Sequence, residues 1–89
     1  MIFFDKSSSS NYIKGVQSCG ALIQNVLLSA HSLNIGSCLI GEILSKADEL
    51  KALLDISNED LELMGIITLG YIKHKTNNPG RKTLESFLL

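Results

Sequence analysis

Residues Val16 to Leu44 read VQSCGALIQNVLLSAHSLNIGSCLIGEIL, and the fold turns on this stretch. Val16, Cys19, Ile23, Val26, Leu27, Ala30 and Leu33 recur at the i, i+3, i+4, i+7 spacing that places side chains on one side of an α-helix. Leu22 widens that apolar stripe to about 140° of arc. Ala21 and Leu28 fall on the opposite side, among Gln17, Gln24, Asn25 and His31. A helix with a broad apolar face and a leucine on its back is expected to be covered from both sides. Asn34 is suited to end the helix, because asparagine tolerates the left-handed conformation of a helix C-terminus. The run that follows, Gly36-Ser37-Cys38-Leu39-Ile40-Gly41, is apolar, bounded by glycines and too short for a helix. It is expected to be a strand or extended segment.

Outward from this centre, Met1–Phe4 is short, apolar and β-prone, and Ser7–Asn11 is a polar loop. Ser45-Lys46-Ala47-Asp48 fits the S-x-x-D helix-start pattern, with Ala47, Leu50, Leu53 and Leu54 as the buried positions of a second helix. Asp55–Asp60 reads as a polar turn. Leu61–Ile72 is almost continuously apolar and is expected to be a strand buried on both faces. Thr76–Gly80 is a loop, and Leu84–Leu89 a short apolar tail. The order β-α-β-α-β-tail indicates an α+β or α/β domain occupying residues 1–89.

The chain has 89 residues, 45% of them hydrophobic and only 19% charged. Its mean hydropathy is +0.22, and its mass 9.7 kDa. A chain this small buries only about 60–65% of its unfolded surface, so its own core is marginal. So apolar a small chain is expected to have a partner surface, most simply a second copy. The longest strongly apolar stretch, Met64–Ile72, is far shorter than the ~20 residues that span a bilayer, and no membrane partner is expected. Cys19 and Cys38 form no C-x-x-C pair and read as reduced cytoplasmic thiols. The net charge of −1 argues against nucleic acid as a partner. That figure hides an asymmetry: residues 1–72 carry four cations against eight acids, and residues 73–89 four against one. A basic cluster on an acidic chain is suited to one small anion or to plain solvation.

Two stretches have the composition of a binding site. In Gly36–Glu42, glycines bracket an extended backbone whose N–H groups are not all used by secondary structure. Gly41 permits close approach of a flat ligand, although taken alone the motif is a weak signal and a tight helix-strand-helix connection is the commoner reason for such glycines. In Pro79-Gly80-Arg81-Lys82, a turn displays a guanidinium, the side chain whose rigid fork of donors matches phosphate oxygens. The alternative there is a solvated charge pair. His31 and His74 have no second ligand at metal spacing, Cys19 lies on the apolar stripe, and Cys38 has no neighbouring base. No G-x-S-x-G elbow, P-loop or dinucleotide fingerprint occurs, so no catalytic side chain is assigned.

Read together, these segments resemble the C-terminal half of the nitroreductase family of FMN-dependent oxidoreductases. The elements come in that family's order. Val16–Leu44 looks like its long central helix and flavin-contacting segment, and SKADELKALLDI like the next helix. LELMGIITLGYI looks like the last core strand, and NPGRKTLESFL like the phosphate-binding C-terminal region. Asn34 stands where many relatives have glycine. The resemblance implies a partial α/β sandwich of nitroreductase type, with the long helix packed on a small sheet, and a homodimer. It also implies that Ile40 and Gly41 offer backbone N–H groups to flavin N5 and O4, that Leu39 packs on the isoalloxazine, and that Arg81, with Lys82 as a weaker second cation, pairs with the FMN phosphate. Hydride would pass from NAD(P)H through flavin N5 to a nitroaromatic or quinone-like acceptor, this chain supplying part of the site. The rival is a non-catalytic dimerisation module that has lost the cofactor, and Arg81 discriminates, since a scaffold has no use for it.

Overall fold

The computed structural model describes all residues from Met1 to Leu89. Three strands, β1 (Ile2–Asp5), β2 (Gly36–Ile40) and β3 (Leu61–Gly70), and two helices, α1 (Tyr12–Ser32) and α2 (Ala47–Leu53), make up the fold. Short 3₁₀ turns occupy Lys6–Ser8, Glu42–Lys46 and Leu84–Phe87. The sheet is antiparallel with order β1-β3-β2, so the arrangement is α+β.

Helix α1 starts where Asn11, in extended conformation, accepts the Lys14 N–H on its side-chain oxygen at 3.0 Å. This satisfies one of the donors that a helix start leaves without a partner. The helix ends as the asparagine predicts. Asn34 takes φ 58°, its N–H donates to the His31 carbonyl, and the Ile35 N–H reaches back to the Ala30 carbonyl at 2.9 Å. The pair of bonds is a Schellman motif. Helix α2 closes the same way with an aspartate, Asp55 at φ 56°, and the Ile56 N–H on the Lys51 carbonyl. Lys51 then ties the connection down, its ammonium donating to the Asn58 and Leu61 carbonyls at 3.0 Å each.

β3 is the central strand, but its two ends have different neighbours. Its first half pairs with β1, from Asp5 opposite Leu61 to Ile2 opposite Gly65. Its second half pairs with β2, from Ile40 opposite Ile66 to Gly36 opposite Gly70. Phe4, Leu63, Ile23 and Ala30 are buried between sheet and α1, with Ala30 towards the second half, where it shares a groove with Ile35 and Leu69. Gly15 permits this approach: a Cβ there would fall on the Phe4 ring. Glycine in a helix costs up to about 1 kcal/mol relative to alanine, and here, in the first turn of α1, closer packing offsets it.

Several expectations need correction. Ser45 does not cap α2; its hydroxyl donates back to the Glu42 carbonyl, because the preceding residues already coil into a 3₁₀ turn. Ala47 and Leu50 are only half-buried, and Leu53 and Leu54 are exposed, since α2 rests on little but that turn. β3 ends at Gly70 and is not buried on both faces: Leu69 is exposed, as are Tyr71 and Ile72 beyond the strand. On α1 the middle of the stripe is covered, while Val16 and Leu33 at its ends, Leu22 at its margin and Leu28 on the opposite side are exposed, so the back of the helix is not covered within the chain.

The core is thin for the chain. Only 5 of 89 residues are buried, and the accessible surface is 7505 Å², where a compact monomer of this mass would expose about 5,100 Å². The radius of gyration, 16.0 Å, likewise exceeds the ~12 Å of a compact domain of this length. Residues 71–89 are exposed throughout, and their hydrogen bonds stay within that segment. No helix is long and apolar enough to cross a membrane.

Candidate functional site

The end of β2 presents the glycine-bracketed segment as an open edge. Ile40 is the last paired residue, opposite Ile66, and Gly41 steps out of the sheet. The Gly41 carbonyl accepts the Leu44 N–H at 3.0 Å, which starts the following 3₁₀ turn, but the Gly41 N–H has no acceptor in the chain. A free amide is a strong donor seeking a partner. Gly41 has φ −90°, a value any residue adopts, and a Cβ there would meet nothing within 4 Å. Neither backbone conformation nor internal packing requires a glycine at this position. Its absent side chain leaves the donor approachable from outside.

Leu39 and Ile40 are 42% and 38% exposed, unusual for apolar residues on a strand. The Leu39 side chain does not float free: its Cδ1 lies against Gly65 of β3, on the side where Ile23 of α1 also reaches. Gly65 escaped the sequence reading. The available signal was an isolated glycine in an apolar strand, which marks close backbone approach.

Arg81 and Lys82 lie in the exposed segment after β3. The only ion pair in the chain joins Lys46 to Glu49, so both basic side chains are unpaired. The turn at Pro79-Gly80 is real, with the Gly80 N–H donating to the Asn78 carbonyl at 3.0 Å. None of the surface grooves is lined by Leu39, Ile40, Gly41, Arg81 or Lys82. The chain by itself therefore displays both groups without enclosing them in one cavity.

The remaining polar features have local explanations. A groove of about 500 Å³ is lined by His31, Asn34, Tyr71, Lys73 and Lys75, among others. Its cations stand at the C-terminal end of α1, where the carbonyl end of a helix favours positive charge without any ligand. Tyr12 donates its hydroxyl to Glu62 at 2.8 Å, and this bond raises its pKa above the usual 10.0. Asp5 accepts the Ser7 hydroxyl and N–H, which lower its pKa below 3.8. Both pairs fasten the ends of elements. Cys19 is half-buried and Cys38 exposed, each a free thiol. No group of three His, Cys, Asp or Glu side chains stands together to hold a metal ion.

An open amide edge beside exposed aliphatic side chains, with no acid, base or nucleophile assembled around it, suits the binding of a flat heterocycle that carries its own chemistry. Comparison with known proteins bears on this. In Archaeoglobus fulgidus, a protein named "Putative NADH dehydrogenase/NAD(P)H nitroreductase" is 34% identical over 70 residues, covering 76% of this chain and 40% of that protein. A crystal structure described as "a putative nitroreductase in complex with FMN", from Desulfovibrio desulfuricans, superposes with a TM-score of 0.90 at 32% identity. It covers 98% of this chain and 50% of that one, so the present chain spans about half the length of the proteins it matches. The Nitroreductase family profile matches residues 1–71, which include the Leu39–Gly41 edge and stop short of Arg81. With most of its length so matched, the chain belongs to the nitroreductase family.

Proposed function

We propose that the protein is an FMN-dependent oxidoreductase of nitroreductase type, to which this chain contributes the β2 edge and the basic C-terminal segment. The observation that carries the reading is the Gly41 N–H, a free donor at the end of a strand, beside open space that nothing in the chain fills. The residues present fit the cofactor: Ile40 and Gly41 would offer backbone N–H groups to the polar edge of the flavin, and Leu39 an aliphatic surface to its ring. Arg81, unpaired, would hold the phosphate by its forked donors, with Lys82 adding charge. Bound FMN supplies the redox chemistry, accepting hydride from NAD(P)H and passing electrons to a nitroaromatic or quinone-like acceptor. The chain's own tasks are to bind, to orient and, by its apolar edge, to limit water around the ring. No side chain is needed as acid or base.

The uncovered apolar surfaces support an assembly larger than one such chain, and a homodimer is the form proposed. Leu22 and Leu28 of α1 and the exposed Leu84, Phe87 and Leu88 of the C-terminal segment are the surfaces it would cover. The two free cysteines suit a reducing, cytoplasmic setting.

The test is FMN uptake by the purified protein, followed by flavin absorbance and by release on denaturation. The reading predicts a yellow protein binding one FMN per protomer, and Arg81→Ala weakening FMN at least tenfold while riboflavin, which lacks the phosphate, is bound equally by both forms. A colourless protein that takes up no added FMN contradicts it and favours a non-catalytic dimerisation module.

A further inference from the structure

We infer that Gly65 is a positioning residue for the flavin-facing edge, an inference that rests on the proposal that Leu39–Gly41 meets FMN. Gly65 stands where β3 changes partners. It is the last β3 residue paired with β1, opposite Ile2, and the next residue, Ile66, faces Ile40 of β2. A register irregularity between Ile2 and Phe3 marks the same point. Gly65 is buried and has φ +157°, at the margin of the region that side-chain-bearing residues avoid.

What surrounds it connects it to the site. A Cβ on Gly65 would come within 2.8 Å of Leu39 Cδ1, and within 3.9 Å of the Ile40 carbonyl oxygen and of Ile23 Cδ1. The missing side chain is thus the slot into which Leu39 folds, at the strand position beside the residue that pairs with Ile40. With the slot filled, Leu39 has to leave. Its methyl is the far end of a flexible side chain, so it is free to turn outward, and 42% of the residue is already exposed. Outward is where the ring is proposed to lie. A side chain at position 65 therefore disturbs cofactor binding more than it disturbs the fold, the reverse of an ordinary core substitution.

The experiment compares FMN affinity and the visible circular dichroism of bound flavin in wild type, Gly65→Ala, Leu39→Ala and the double variant, with thermal melting of each apoprotein alongside. We expect Gly65→Ala to weaken FMN at least tenfold and alter the flavin dichroism. The double variant should recover the affinity of Leu39→Ala alone, because the collision is gone, without recovering the melting temperature that φ +157° costs an alanine. Wild-type affinity in Gly65→Ala overturns the inference, as does a double variant no better than Gly65→Ala. Should Gly65→Ala not fold, Leu39→Phe probes the same slot from the other strand, since a phenyl ring is too large to enter it. A tenfold loss supports the inference, and unchanged affinity overturns it. A wild-type protein that takes up no FMN fails the underlying functional reading, whereas failure in the variants alone leaves that reading standing.

Discussion

The two halves of β3 lie in contrasting surroundings on one continuous strand. Leu61–Gly65 runs beside β1 beneath α1, and its Leu63 is only 4% exposed. Ile66–Gly70 runs beside β2, and its Leu69 is 60% exposed although the local sequence is just as apolar. The first half is a finished piece of structure, with Phe4 beside it on β1, Ile23 of α1 reaching Gly65, and a tyrosine–glutamate hydrogen bond at its margin. The second half is an unfinished surface that carries the free amide of Gly41 at its flank. The difference teaches that the buried residues of β3, Leu63 and Gly65, belong to its first half, while the edge proposed to bind, Leu39–Gly41, joins the second half where it begins, with Gly65 at the boundary.

Substitution at the two leucines breaks or sharpens that contrast most strongly. Leu63→Ala should cost about 2–5 kcal/mol, as removal of a buried leucine does, and in a chain with so few buried residues urea titration should show it largely unfolded. Leu69→Ala should stay within about 0.5 kcal/mol of wild type. Equal losses would mean that the second half is covered in solution by further protein.

A smaller effect is expected where α1 begins, at the finished end. Asn11→Ala removes the side-chain acceptor of the Lys14 N–H and should lower stability by about 1 kcal/mol, measurable as a shifted urea midpoint. Asn11→Asp should keep most of it.

The smallest effects are in pH. Asp5 titrates lower in the folded chain than its ordinary 3.8 because Ser7 bonds its charged form. Its contribution is therefore present above pH 3.8 and is lost as pH falls through the folded value. Tyr12 titrates above 10.0, so the contribution of its bond to Glu62 is present below pH 10.0 and is lost as pH rises through the folded value. Asp5→Asn should flatten the acid limb of a stability–pH curve and Tyr12→Phe the alkaline limb. Neither should touch flavin affinity, since both residues lie at the finished end.

How much of this was legible in the sequence differs along the same divide. The long helix, its asparagine terminus and the extended glycine-bracketed segment were readable because each depends on local spacing or local backbone preference. The 3₁₀ turn before α2 was not, since Ser45 bonds its own preceding turn instead of capping the helix. Burial of Leu53, Leu54 and Leu69 was misjudged for a different reason: apolar character says that a residue seeks cover, not that this chain provides it. Of the candidate site, Gly41 stood out by pattern. Gly65 did not, because its importance lies in an approach by Leu39 from a strand more than twenty residues away in the chain.

The central claim, that the amide at the end of β2 receives the flavin, is most directly tested by following backbone amide resonances of the ¹⁵N-labelled protein during FMN titration. The account predicts that the Gly41 N–H signal moves downfield and saturates at one FMN per protomer, with Ile40 responding alongside it and Phe4 and Leu63 scarcely at all. FMN that binds while Gly41 and Ile40 remain unmoved would contradict it.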